Sequence, residues 1–188
     1  MAGGFSHVIG FDDSPFARGH RGGVTVVGAA YAGLRLEGVL ITRVRRDGSD
    51  STRRLHEAVV SSRFAAHTRL ILLQGIAFAG FNVVDIHALH ETLGIAVLVV
   101  ARHPPDLPAI ERALRQAVTG GRRKWRLIER AGPMEPAAGV WIQRAGIGLA
   151  AAERVIARLA VNGRIPEALR AAHLIATGLA GGRSRQRV

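Results

Sequence analysis

The chain has 188 residues, enough for one domain with a sizeable core, and 48% of them are hydrophobic, which excludes an intrinsically disordered protein. It contains no cysteine, which excludes disulfide bonds and thiolate metal sites, and no apolar run approaches the roughly 20 residues of a membrane-spanning helix. Arginine and lysine total 26 against 14 acidic residues, a net charge of +12 that favours a phosphate-rich partner such as nucleic acid.

The basic side chains are almost all arginine, because Lys124 is the only lysine. Guanidinium forks match the geometry of phosphate and stack on bases, as nucleic-acid recognition requires. A GC-rich genome would explain arginine in place of lysine, but it would not explain the excess of basic over acidic residues. The first residues lack the basic and apolar pattern of a secretory signal, so we expect a cytoplasmic protein.

The first 44 residues predict three strands, over 7–12, 24–33 and 35–44, because β-branched and apolar residues dominate each run. A polar, glycine-rich loop over 14–23 separates the first two strands, and Gly33 permits a tight turn before the third. The short connections predict an antiparallel meander.

The pattern then alternates between helix and strand. We predict a helix over 52–64, a buried strand over 69–75, a helix over 82–94 and a second buried strand over 95–102. The resulting order, β-β-β-α-β-α-β, predicts an α/β protein with a mixed sheet and helices on both faces. This is the element order of the ribonuclease-H-like fold.

The remainder of the chain predicts additional elements that follow this core. They are a helix over 109–120, a basic stretch over 121–130, a strand over 138–148, and helices over 149–161 and 166–180. We expect residues 1–182 to form a single domain with extra C-terminal helices, and residues 183–188 to form a flexible basic tail.

Two adjacent carboxylates, Asp12 and Asp13, end the first predicted strand. Their mutual repulsion must be offset by water, by an arginine or by a divalent cation. A turn in which they cap backbone N–H groups is the ordinary alternative. Because neighbouring residues of a strand point to opposite faces, Asp12 and Asp13 are expected to have different partners, with an arginine as the candidate partner of Asp13.

Several strings of the sequence resemble one family. They are GFDDSPF (10–16), SSRF (61–64), QGIAFAGFNVVDI (74–86), ARHPPD (101–106) and PEALRAAHLIATGLAGGRSRQR (166–187). On these strings the chain resembles the endonuclease dU family, which is largely archaeal and similar to endonuclease V, a ribonuclease-H-like nuclease. The resemblance implies a Mg²⁺-dependent endonuclease of DNA repair that nicks DNA at deaminated bases, with deoxyuridine as the lesion.

The resemblance also implies which residues form the site. Asp12 corresponds to the carboxylate on the first strand, and His173 resembles the late histidine of endonuclease V, which would contact metal-bound water or phosphate. Mg²⁺, with Mn²⁺ as the alternative ion, would be held by Asp12. Asp13 and Asp85 are our own candidates for the remaining ligands, Asp85 because it follows the family position at Gln74 by 11 residues and could supply a carboxylate from the start of a helix. Glu57 is the candidate for the carboxylate of the first helix, and Glu37 is another.

The chain departs from endonuclease V at Gln74, where that enzyme has an aspartate followed by glycine. A neutral amide is a poor replacement for a metal-bridging carboxylate, so a second interpretation stays open: a nucleic-acid-binding protein of the same fold that does not cleave.

Candidate contacts to nucleic acid are spread over two segments of the chain and Gln74. Arg18, His20 and Arg21 lie in the loop over 14–23, Arg63 follows the first predicted helix, and Gln74 is expected within the site. The glycines of that loop allow its backbone to approach phosphate closely. In both interpretations the partner is nucleic acid, with DNA expected for the endonuclease.

Overall fold

The structure, a computed structural model, describes residues 5–184. Of the expected flexible tail, residues 185–188 lie outside the described residues. No helix within residues 5–184 combines the length and the apolar character needed to cross a membrane.

The strands of the described range vary from two to eleven residues, and the two longest, β2 and β3, follow β1. Their bounds are β1 His7–Asp13, β2 Gly23–Ala32, β3 Arg35–Arg45, β4 Leu70–Gln74, β5 Ala77–Phe78, β6 Asn82–Val83, β7 Ala96–Ala101, β8 Glu135–Ala137 and β9 Val140–Ala145.

The helices of the same range include two that flank the sheet early in the chain and four that follow β7. Their bounds are α1 Ser51–Val60, α2 Ile86–Leu93, α3 Leu107–Ala117, α4 Gly121–Ala131, α5 Leu149–Leu159 and α6 Glu167–Gly181.

The main sheet places β1 near its centre, in the order β3-β2-β1-β4-β7-β9-β8. β1 pairs antiparallel with β2 and parallel with β4, and β4 pairs parallel with β7. The carboxyl ends of β1, β4 and β7 therefore lie at one edge of the sheet, which is where open sheets of this kind bind their ligands. The predicted meander and the β-β-β-α-β-α-β order are confirmed.

Two hydrophobic layers cover the two faces of this sheet. Val8 and Leu72 pack with α5 and α6, whereas Ile9, Phe11 and Leu73 pack with α1 and α2. Successive residues of a strand alternate between these layers, as the pleat requires. The prediction of helices on both faces is therefore confirmed.

α6 approaches β1 closely because residue 10 is a glycine. A Cβ atom at Gly10 would lie 2.5 Å from the backbone carbon of Ala168, which is too close for any side chain. This contact sets the depth at which α6 packs, and with it the position of the residues that α6 carries toward the end of β1.

The predicted start of the second helix was wrong, and this start lies near the candidate site residue Asp85. The helix predicted over 82–94 begins at Ile86, because Asp85 is its N-cap and residues Asn82–Val83 instead pair with Ala77–Phe78 in a hairpin. The basic stretch over 121–130, to which no element was assigned, forms α4.

Candidate active site at the carboxyl end of the central strand

Asp12 occupies the carboxyl end of β1 and is 5% exposed. Its Oδ2 lies 2.8 Å from Nδ1 of His173, a residue of α6, and its Oδ1 accepts a hydrogen bond from the N–H of Asp13 at 2.9 Å. The structure thus brings together two residues that lie 161 positions apart in the chain.

Burial raises the pKa of Asp12 from its usual value of 3.8 to about 6. The hydrogen bond from His173 opposes this rise, and the neighbouring charge of Asp13 adds to it. A carboxylate that has lost its water and gained only one side-chain partner is stabilised by a cation placed beside it. The electrostatics of this position therefore favour the binding of a positive ion.

Asp13 points away from Asp12 and has a different partner. Its Oδ2 accepts a hydrogen bond from the N–H of Ala79 at 2.7 Å, in the turn between β5 and β6, and burial raises the pKa of the Asp13 carboxyl. Among residues 5–184 Asp13 forms no ion pair, so the expected arginine partner is replaced by a backbone amide. Asp13 thereby connects the end of β1 to the β5–β6 hairpin.

Lys124 anchors the same hairpin indirectly and is not available at the surface. It is 2% exposed, and its Nζ donates to the carbonyl oxygen of Asp47 at 2.5 Å. Asp47 in turn accepts a hydrogen bond at Oδ1 from the N–H of Phe81. The one lysine of the chain is therefore structural, and any phosphate contacts fall to arginine.

Gln74 ends β4, the parallel neighbour of β1, and lies level with Asp12. Phe11 pairs with Leu73, so the next residues along the two strands, Asp12 and Gln74, are adjacent, and both follow residues whose side chains face α1 and α2. Gln74 therefore shares the α6 face with Asp12. Its Oε1 is buried and has no hydrogen-bond partner among the described residues, an arrangement that costs free energy unless a donor or cation occupies the site.

Asp85 lies at the start of α2, on the face of the sheet opposite the one that Asp12 and Gln74 share. Its Oδ1 accepts a hydrogen bond from the N–H of Ala88 at 3.0 Å, and its Oδ2 pairs with Nη1 of Arg130 at 3.0 Å. Both carboxylate oxygens are thus committed to local partners, and α2 packs on the face opposite α6. The structure does not bring Asp85 into hydrogen-bonding contact with Asp12.

The two glutamates considered for the site, Glu57 and Glu37, are paired with arginines. Glu57 pairs with Arg53 at 2.6 Å and Arg54 at 3.2 Å along α1, and these side chains are largely exposed. Glu37, on β3, pairs with Arg35 at 2.6 Å. Within residues 5–184 no group of three or more His, Cys, Asp or Glu side chains is arranged to hold a metal ion.

The loop over 14–23 presents its two arginines to solvent beside this site. Arg18 and Arg21 are exposed, whereas His20 is partly buried, with Nε2 3.2 Å from the carbonyl oxygen of Gly23. Arg46 holds the loop in place, because its Nη1 donates to the carbonyl oxygens of Arg18 and His20. Nothing in the sequence distinguished Arg46 from the other arginines except its place in a basic turn.

Arg63 lies elsewhere. Its Nη2 donates to the carbonyl oxygen of Glu37 at 2.9 Å, and its guanidinium stacks 4.9 Å from the ring centroid of Phe64. Gly38, which follows Glu37 on β3, pairs with Ala30, and Ala30 pairs with Ile9 of β1. Arg63 therefore lies beside the middle of β1 and away from its carboxyl end. It therefore stands apart from the loop arginines.

Comparison with known proteins places these features in context. A UPF0215 protein of Deinococcus radiodurans is 56% identical over 179 residues, which cover 95% of this chain and 91% of that protein. A crystal structure of a protein of unknown function from Archaeoglobus fulgidus is 32% identical with a TM-score of 0.86, covering 92% of this chain and 97% of its own.

A more distant structure shares the fold. Endonuclease V of Ciona intestinalis, in complex with a 24mer DNA containing an inosine followed by a ribo-adenosine, is 14% identical, with a TM-score of 0.56 and coverage of 89% of this chain and 82% of its own. This likeness confirms the predicted ribonuclease-H-like fold. The family described as Endonuclease dU matches residues 5–180, so the chain belongs to the Endonuclease dU family.

Proposed function

We propose that the protein is a metal-dependent endonuclease that nicks DNA at deaminated bases, with deoxyuridine as the first candidate lesion. The observation that carries the proposal is the pair formed by buried Asp12 and His173, beside the unpartnered Oε1 of Gln74, at the carboxyl ends of β1 and β4. Membership of the Endonuclease dU family supports the same reaction.

The residues at this position fit a divalent cation of the magnesium type. Asp12 supplies a buried carboxylate and Gln74 an amide oxygen that is buried and unpaired, and both are hard oxygen donors. Mg²⁺ keeps several waters and is commonly bound through one or two carboxylates together with substrate phosphates, so a small protein ligand set suffices. Mn²⁺ is the alternative ion. When bound, the ion would activate a water and neutralise charge on the phosphate.

The chain's own residues provide the remaining parts. His173 fixes the orientation of Asp12 through the 2.8 Å contact between Nδ1 and Oδ2. Asp13 fixes the hairpin that closes the end of β1. Arg18 and Arg21, exposed on the loop that follows β1, lie where they can bind phosphates of the substrate strand. Asp85 and Glu57 take no direct part in this arrangement.

DNA is the proposed partner for two reasons. The net charge of +12, carried almost entirely by arginine, suits a polyanion. The endonuclease V structure that shares the fold contains DNA with an inosine, which is a deaminated base. Both observations concern the class of ligand, and the identity of the lesion rests on the family.

A nicking assay tests the proposal. End-labelled duplexes that differ only in one position, occupied by thymine, uracil or hypoxanthine, are incubated with the full chain in Mg²⁺, in Mn²⁺ or in EDTA. We expect nicks near uracil, fewer on the thymine duplex, none in EDTA and none with Asp12→Asn. Equal cleavage of all three duplexes, or cleavage that persists with Asp12→Asn, would contradict the proposal.

A second candidate function is nucleic-acid binding without cleavage on the same fold. The specific observation in its favour is Gln74, a neutral amide in a region where residues 5–184 place no cluster of three metal-binding side chains. Tight binding of the uracil duplex in Mg²⁺ and in Mn²⁺ without any nicking would favour this function over the first.

A further inference from the structure

A cavity of about 580 Å³ lies beyond the carboxyl end of β7, on the α6 side of the sheet. Its floor is apolar, formed in part by Val140 and Ile165, which are buried, and by Leu174 of α6. Its rim carries two arginines, Arg102 and Arg164, together with His103. No carboxylate from the described part of the chain lines it.

The charge of this rim is not neutralised within the protein. Arg102, His103 and Arg164 are exposed, and their side chains form no hydrogen bond or ion pair among residues 5–184. Arg170 also lines the cavity, but its guanidinium is paired with Glu167 at 2.6 Å, so its charge is already balanced. Exposed arginines that are free of carboxylates around a recess are suited to bind a phosphate.

The register of the sheet relates the cavity to Asp12. Gln74, adjacent to Asp12, pairs with Val100 of β7, and Arg102 follows two residues later. Two strand spacings of about 4.8 Å and two residues of about 3.3 Å place the Cα atoms of Asp12 and Arg102 about 12 Å apart. At about 3.4 Å of axial rise per nucleotide, this separation spans three to four nucleotides of one strand.

We propose that this cavity binds one nucleotide of the substrate strand outside the cleaved bond, with its phosphate on Arg102 and Arg164 and its sugar against the apolar floor. The inference rests on the proposed endonuclease function and deepens it, because it assigns a second subsite, three to four nucleotides from the cut.

The test is the affinity of the full chain for a fluorescein-labelled duplex of about 24 base pairs with one uracil, measured in EDTA so that no cleavage occurs. The double variant Arg102→Gln/Arg164→Gln removes both charges. Because the two arginines share one phosphate, losing this contact lowers the slope of log affinity against log salt by about 0.9, which corresponds to roughly 5-fold weaker binding at 0.15 M salt. Circular dichroism checks that the variant is folded. We expect it to be, because both substituted side chains are exposed.

Arg35→Gln is the matched control. Arg35 is an exposed arginine at the other end of the sheet, because it pairs with Ala32, which pairs with His7 at the start of β1. We expect this variant to bind within about twofold of the parent, because it lies away from the proposed path of the strand. An equal loss with Arg35→Gln and with the double variant would overturn the inference, since it would show a general effect of charge.

Neutral methylphosphonate linkages locate the subsite. One linkage is placed at each of the first five positions on either side of the uracil. We expect one substitution, three to four nucleotides from the cut, to weaken the parent and leave the double variant unchanged. If the parent binds and the double variant binds equally well, the inference fails while the proposed function stands; if the parent binds no duplex, both fail.

Discussion

Two carboxylates near strand ends, Asp12 on the α6 face and Asp85 on the α2 face, show how differently one chemical group can be used. Asp85 caps a helix and pairs with Arg130, so both its oxygens have partners and the charge is balanced. Asp12 is more deeply buried, has a raised pKa, and lies beside an amide oxygen without a partner. Partners, more than position in the sequence, therefore distinguish a carboxylate whose charge is balanced within the protein from one whose charge is not.

The largest expected effect separates these two carboxylates by activity. Asp12→Asn should lower the nicking rate at least about 1000-fold, a change of about 4 kcal/mol in barrier and within what metal-ion catalysis supplies. Asp85→Asn should retain the rate within about threefold, because asparagine caps a helix as well as aspartate does. Single-turnover nicking of the uracil duplex measures the rates of both variants. An equal loss in the two would contradict the different roles of Asp12 and Asp85.

A second prediction concerns stability: Asp12→Asn should stabilise the protein at neutral pH, whereas substitution of Asp85 should destabilise it. The pKa of Asp12 is higher in the folded protein than its usual value, so the folded state keeps this proton to higher pH than the unfolded state does. Stability is therefore lost as pH rises through about 4 to 6, and Asp12→Asn should regain about 1–3 kcal/mol above pH 6, at 1.36 kcal/mol per unit of pKa. The gain should vanish below about pH 4.

Asp85→Ala should do the opposite and lower the free energy of unfolding by about 1–2 kcal/mol, through loss of the cap and of the Arg130 pair. Urea unfolding in EDTA at pH 7.5 and pH 4 measures both variants. The prediction would be contradicted if Asp12→Asn destabilised the protein more than Asp85→Ala at pH 7.5.

A third prediction concerns the metal itself. If Mg²⁺ binds with a dissociation constant of about 1 mM, then 10 mM Mg²⁺ should stabilise the parent by about 1.4 kcal/mol. Gln74→Leu and Asp12→Asn should each reduce this gain, whereas Asp85→Asn should leave it intact. Thermal unfolding with and without Mg²⁺ gives the readout, and a gain that survives Asp12→Asn would place the ion elsewhere.

The smallest expected effect is at Glu57. Its carboxylate is exposed and pairs with Arg53 and Arg54 along one helix face, an arrangement that contributes little in water. Glu57→Gln should change neither the nicking rate nor the urea midpoint measurably. A clear loss of activity with a normal midpoint would instead bring Glu57 back into the site.

Much of the architecture could be predicted from local patterns. The strands over 7–12 and 95–102 and the helix over 166–180 were found to within about two residues, because burial on one or both faces imposes a period that the sequence shows. The hairpin Ala77–Phe78 with Asn82–Val83 could not be found in this way. Its strands have two residues each and are held by Asp13 and Asp47, which lie far away in the chain.

For the site, the residue pattern indicated that the carboxylate pair Asp12 and Asp13 ends the first strand, that Gln74 ends a later buried strand, and that arginine supplies the positive charge. The resemblance to the family, and not the pattern, pointed to His173. The central place of β1, its parallel pairing with β4 and the contacts between these groups are set by tertiary packing. Gly10 lets α6 close on β1, which places His173 on Asp12. The pleat of β1 turns Asp13 to the opposite face, toward Ala79, and α2 holds Asp85 on that same face. These pairings depend on packing between segments that are distant in the chain, and local residue patterns cannot predict such packing.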